Sequence, residues 1–142
     1  MRVLGLDVGD RRIGLALSDP LGILASGLGA LERRDLERDI QAILALVEEK
    51  QAERIVVGLP KRLDGSLGEQ ARKVQELASS LSEVSPAPVE YWDERLSTVA
   101  AQELLRQAGA KKASRGRVDA AAASVILQGY LDAKGLTRRE PS

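Results

Sequence analysis

The chain has 142 residues, about the length of one domain and enough for a single substantial core. Its 21 Lys and Arg balance 21 Asp and Glu, so no whole-chain field points to nucleic acid and only local clusters of charge can. Cysteine and histidine are both absent, which excludes disulfides, thiolate zinc sites, imidazole bases and imidazole metal ligands; any catalysis must run on carboxylates or lysine.

The first elements are two short apolar runs, "RVLGLDV" and "RIGLALSD", separated by Gly9, Asp10 and Arg11. Turn residues between short apolar runs predict a β-hairpin. A glycine-rich third run, "GILASGLGALER", continues it as a three-stranded meander. From Asp35 the period changes: Leu36, Ile40, Ile43, Leu44 and Val47 recur at helical spacing, with Asp35 as the cap and an end near Lys50. "RIVVGL" then reads as a buried strand opening onto a loop from Pro60 to Gly68. "SLGE" at Ser66 to Glu69 fits a capping box for a helix carrying Val74, Leu77, Ala78 and Leu81. After the turn "SPAP", "VEYWDE" makes a fifth strand, and Leu96 to Ala108 a helix closed by Gly109. "AKKASRGR" has no periodicity and is expected to be a mobile loop, followed by a last helix from about Val118 to Ala133.

The fold class is therefore α/β. The expected sheet is mixed and five-stranded, with three antiparallel N-terminal strands and two further parallel strands, flanked by helices. One domain is expected over 1–134, with a flexible C-terminal tail over 135–142. No apolar stretch reaches the ~20 residues of a membrane span, and a cysteine-free chain suits a reducing cytoplasm. The expectation is a cytoplasmic protein with no membrane partner. Trp92, Tyr91 and Tyr130 are the only aromatics, too few for a platform that stacks single-stranded bases.

Three acids stand where a surface residue would not be expected. Asp7 lies inside an apolar strand, on one face with Val3, Gly5 and Gly9, and the two glycines leave room beside it for a metal or a phosphate. Taken alone it also reads as a cap on the turn. Asp93 and Glu94 end the fifth strand and point to opposite faces, so only one of them need face a site; an ion pair with Arg95 is the ordinary alternative. Asp119 opens the last helix in register with its small apolar face, although the helix dipole alone would favour an acid there. Read together, Asp7, Asp93 or Glu94, and Asp119 converge from two strand ends and a helix N-terminus. Such carboxylates repel one another unless cations bind between them, and a hard oxygen cluster selects Mg²⁺ or Mn²⁺.

Four motifs, "GLDVGDRRIGLALSD", "VVGLPKRLDGSLGEQA", "DERLSTVAA" and "RVDAAAASVILQGYL", resemble in order, and along nearly the whole chain, the YqgF family, also called RuvX. These are Holliday-junction-resolvase-like nucleases with the RNase H fold, implicated in pre-16S rRNA processing. The resemblance implies an RNase H-like nuclease domain, two-metal phosphodiester hydrolysis, and catalytic acids at Asp7, at Glu94 with Asp93 as a metal partner, and at Asp119. Related resolvases carry a fourth acid near the third, but Ala120 to Ala123 follow Asp119 here. The family often has Lys-Arg before "IG" where this chain has Arg11 and Arg12, so the charge is kept.

Lys111, Lys112, Arg115 and Arg117 form a run of cations with no acid between Gly109 and Val118, immediately before Asp119. A run of this kind engages phosphates without reading bases. Lys61 and Arg62 at the end of the fourth strand and Arg11 and Arg12 in the first turn are further candidates for contact with nucleic acid, and Arg95 and Ser97 beside the second acid are secondary ones. The expected partner is precursor rRNA or branched DNA, bound by a monomer or a homodimer. Two other functions compete: a non-catalytic nucleic-acid-binding module, and an actin- or sugar-kinase-like nucleotide module, because "DVGDRRIG" also resembles the phosphate hairpin of that superfamily. The latter needs two such domains, and the length supplies one.

Overall fold

A computed structural model describes residues 1–61, 64–93 and 115–139, with side chains of the last segment described at 118–134. Three strands open the chain, β1 (Val3–Val8), β2 (Arg12–Ser18) and β3 (Ala25–Glu32), and they form the expected meander. Helix α1 (Leu36–Lys50), strand β4 (Arg54–Leu59), helix α2 (Glu69–Val84) and strand β5 (Val89–Asp93) follow, and helix α3 (Arg115–Arg139) comes last. The sheet runs β3-β2-β1-β4-β5, with β4 parallel to both β1 and β5. Among the described residues no helix is long and apolar enough to cross a membrane.

Strand alternation divides the core into two layers. Leu4, Leu6 and Val8 of β1 join Ile55, Val57 and Leu59 of β4 under α1 and α2. Val3 and Val56 point the other way, to Ala123, Ile126, Leu127 and Tyr130 of α3. Asp7 is on that second face. The Asp35 carboxylate accepts the Arg38 N–H at 2.8 Å and caps α1 as its sequence predicts.

Four local expectations need correction. Ser66 does not cap α2: the Asp64 carboxylate accepts both its N–H and its hydroxyl, at 2.9 and 2.6 Å, in a turn preceding the helix, and the cap is Gly68 without a side-chain bond. Gly5 does not clear space for a ligand, because a Cβ there would lie 2.9 Å from the Leu127 Cβ and 3.4 Å from the Ala123 carbonyl; the glycine lets α3 settle on the sheet. Gly9 serves the hairpin turn, where its N–H donates to the Arg12 carbonyl at 2.9 Å and a Cβ would meet that same oxygen. Finally, α3 starts at Arg115, so Arg115 to Arg117 are helical and not loop, and it continues through Gly135 to Arg139. Arg is a good helix former, an internal glycine costs only about 1 kcal/mol, and the first strong breaker after Ala133 is Pro141.

Candidate active site

Strands β1, β4 and β5 run parallel, so Val8, Leu59 and Asp93 end at one edge of the sheet, the edge at which ligands bind in folds of this class. Asp7 is next to the end of β1, half-buried, and registers against Gly14 of β2. Gly14 is where the second acid arrives. A Cβ on it would overlap the Asp119 carbonyl oxygen and come within 2.7 Å of the carbonyl carbon, so only a bare backbone admits α3 at this depth. Asp7, paired in register with Gly14, and Asp119, whose carbonyl lies over that glycine, are thereby held on the same face of the sheet. Gly27 of β3 accepts Ala120 in the same way, with 2.9 Å from its Cβ position to the alanine methyl.

Asp119 is not a first-turn acid. With α3 beginning at Arg115 it falls in the second turn, where the helix dipole has faded, so the dipole does not account for it. Its partner is Arg12, whose Nε donates to Oδ2 at 2.6 Å with side-chain exposures of 24% and 27%. Arg12 and Gly14 lie two apart on β2 and share a face, so one strand both admits the helix and orients its carboxylate. The turn carrying Arg12 is braced from α1's approach: Arg33 donates its side chain to the Gly9 carbonyl at 3.0 Å and its N–H to the Arg11 carbonyl at 2.8 Å. Arg33 itself pairs with buried Asp39 at 3.2 Å.

Asp93 goes elsewhere. It registers with Leu59, which faces α1 and α2, and the Lys61 ammonium lies 4.0 Å from its carboxylate. Expected as a metal ligand beside Glu94, it stands on the face opposite Asp7. Arg11 is exposed in the first turn, and Lys61 is half-buried at the end of β4 in an isolated bridge to Leu67. Arg115 and Arg117 occupy the first turn of α3. Glu94, Arg62, Arg95, Ser97, Lys111 and Lys112, and the helix expected from Leu96 to Ala108, lie outside the described residues. Among the described residues no three acids come close enough together to hold a metal ion. The role of Gly14 is not anticipated from the sequence. Its only local signal is a glycine in an otherwise apolar strand, and its partner is far along the chain.

The chain is similar to known proteins over most of its length. A family model described as "RuvX: Holliday junction resolvase" matches residues 1–133. A protein of Desulforamulus reducens named "Putative pre-16S rRNA nuclease" is 48% identical over 133 residues, covering 93% of this chain and 97% of its own length. One of the same name from Clostridium kluyveri is 47% identical over the same shares. Among solved structures, Thermus thermophilus RuvC in complex with a Holliday junction substrate aligns at a TM-score of 0.63 and 16% identity, over 94% of this chain and 96% of that one. The fowlpox virus Holliday junction resolvase aligns at 0.60 and 10% identity, over 94% and 99%. At these identities the structural likeness is one of fold, and the fold is the expected RNase H-like resolvase fold.

Proposed function

The chain belongs to the RuvX family, and on that footing we propose that it is a divalent-metal-dependent nuclease that hydrolyses phosphodiester bonds of structured nucleic acid. The observation that carries the reading is the placement of Asp7 and Asp119 on one face across Gly14, at the carboxyl edge of the parallel strands. Precursor 16S rRNA, trimmed at its 5′ end in the cytoplasm, is the first substrate, because relatives 47–48% identical over nearly the whole chain carry that name. Four-way DNA junctions are the second, supported by the family's description.

Mg²⁺ or Mn²⁺ fits the donor set. The acids offer hard oxygens, the chain has neither His nor Cys to favour a softer metal, and the Asp119 carboxylate already draws a cation, the Arg12 guanidinium. Asp7 and Asp119 would hold the ion or ions together with Glu94, the acid that the family resemblance implies; Asp93 is set aside because it stands on the face opposite Asp7. A bound metal would supply Lewis acidity at the phosphodiester, the chemistry that the resemblance implies for these acids. The protein's own part is to hold and orient the phosphate backbone. Arg11 and Lys61 lie at the edge where it arrives; Arg62, Arg95, Lys111, Lys112, Arg115 and Arg117 extend the positive charge along the sequence, and the Ser97 hydroxyl adds a neutral hydrogen-bonding group beside Glu94. Phosphate contacts of this kind bind without reading bases. A monomer suffices for trimming an RNA end, whereas junction resolution favours a homodimer with two sites.

The test is cleavage of precursor rRNA and of a four-way DNA junction with Mg²⁺ or Mn²⁺, by wild type and by Asp7→Asn. Wild type is expected to cut the rRNA precursor. The variant should lose more than the ~100-fold seen when outer-shell partners of a metal are removed. Cleavage of neither substrate, or equal cleavage by the variant, refutes the reading. Binding of ATP without cleavage would favour the kinase-like module instead.

A further inference from the structure

The sequence places Arg12 among the contacts to nucleic acid, yet in the fold its guanidinium is spent on Asp119. The contact is short, 2.6 Å from Nε to Oδ2, and about three-quarters of each side chain is covered, so it is not a loose surface pair. Asp119 has no help from the helix dipole in the second turn of α3, and Asp7 across Gly14 adds like charge to the same face. Arg12 supplies a compensating cation to Asp119 by its position on β2, two residues from the glycine that admits the helix.

The geometry points to Arg12 as a resident cation that occupies the Asp119 carboxylate in place of the metal and thereby sets how tightly the site binds its ion. The inference rests on the metal-dependent nuclease reading above. An ion coordinating Oδ2 must displace the Nε–H or share the oxygen with it, bringing two positive charges together. The ion then binds more weakly than the carboxylates alone would allow. Arg12 acts through Asp119 and is a positioning residue. A purely structural role has the opposite signature, because removing a support for Asp119 would weaken metal binding.

Titration calorimetry with Mn²⁺, together with thermal melting with and without Mn²⁺, separates the two in wild type, Arg12→Gln, Arg12→Lys and Asp7→Asn. Arg12→Gln is expected to bind Mn²⁺ about fivefold tighter, the effect of removing one competing ion pair. It should melt below wild type without metal and gain more than wild type when saturated. Arg12→Lys keeps the charge on a shorter reach and should fall between the two, which preserves the test if the Gln variant does not fold. Unchanged or weaker Mn²⁺ binding by Arg12→Gln, while wild-type binding is lost in Asp7→Asn, overturns the role of Arg12 and leaves the nuclease reading standing. Failure of wild type to bind Mn²⁺ overturns the metal site and this inference with it.

Discussion

Gly14→Ala gives a prediction whose sign, as well as its size, depends on how α3 seats against the sheet. Gly14 is not among the glycines with positive φ, so alanine meets no backbone strain there. If Gly14 were only a strand residue, the substitution would stabilise the protein by about 0.4–1 kcal/mol through the unfolded chain. The structure predicts the reverse. The new methyl would occupy the space of the Asp119 carbonyl, which belongs to helix backbone and cannot rotate away, so α3 must lift from β2. Overpacking of this kind costs about 1–3 kcal/mol, and here it also displaces a metal-ligand candidate. Urea unfolding should show a lower midpoint with the slope unchanged, and cleavage should fall by more than the small loss of folded protein explains. A Gly14→Ala variant as stable as wild type, or one that is destabilised but cleaves normally, would refute the idea that this glycine seats Asp119.

Further expectations concern the other end of α3 and the cationic run. Tyr130 is buried, accepts a bond from Arg54 at 2.8 Å and donates one to Glu90 at 2.8 Å, so Tyr130→Phe should cost about 1–3 kcal/mol at neutral pH while leaving cleavage by the folded protein intact. Burial, with Glu90 beside it, pushes the Tyr130 phenol above its ordinary value of 10.0, against the opposing pull of Arg54. Because the folded value is the higher one, this contribution is complete below pH 10 and is lost as pH rises through the folded value; urea unfolding from pH 7 to 11 should show a shallower alkaline decline in the variant. Neutralising Lys111 and Lys112 to Gln should reduce nucleic-acid affinity and flatten its dependence on salt, with a slope smaller by roughly 0.7–0.9 for each phosphate no longer neutralised; an unchanged salt titration would remove these lysines from the interface.

Much of the fold is legible because its elements announce their own periods. "RIVVGL" is β4 residue for residue, and Asp35 caps α1 as its position before an amphipathic run requires. The start of α3 is not legible, because Ser114, Gly116 and the surrounding cations look like a loop when only local propensity is consulted. Asp7 and Asp119 can be singled out as acids on apolar faces. That they meet at Gly14 cannot, since a close approach between a strand and a distant helix leaves no periodic trace. The same limit explains Arg12, where sequence shows a cation beside a turn and packing decides which anion it meets. For Gly5 the local reading is reversed: open space beside an acid in the strand is space filled by Leu127 in the fold.

The central claim is that Asp7 and Asp119 make one cation site. Diffraction at the manganese absorption edge from crystals of the protein soaked in Mn²⁺ tests it most directly. The expected result is an anomalous peak between the two carboxylates, on the α3 face of the sheet, with the Glu94 carboxylate as a further ligand and the Arg12 guanidinium moved off Asp119. A peak at Asp93 on the opposite face, or a fully soaked crystal with no ion between Asp7 and Asp119, would contradict it.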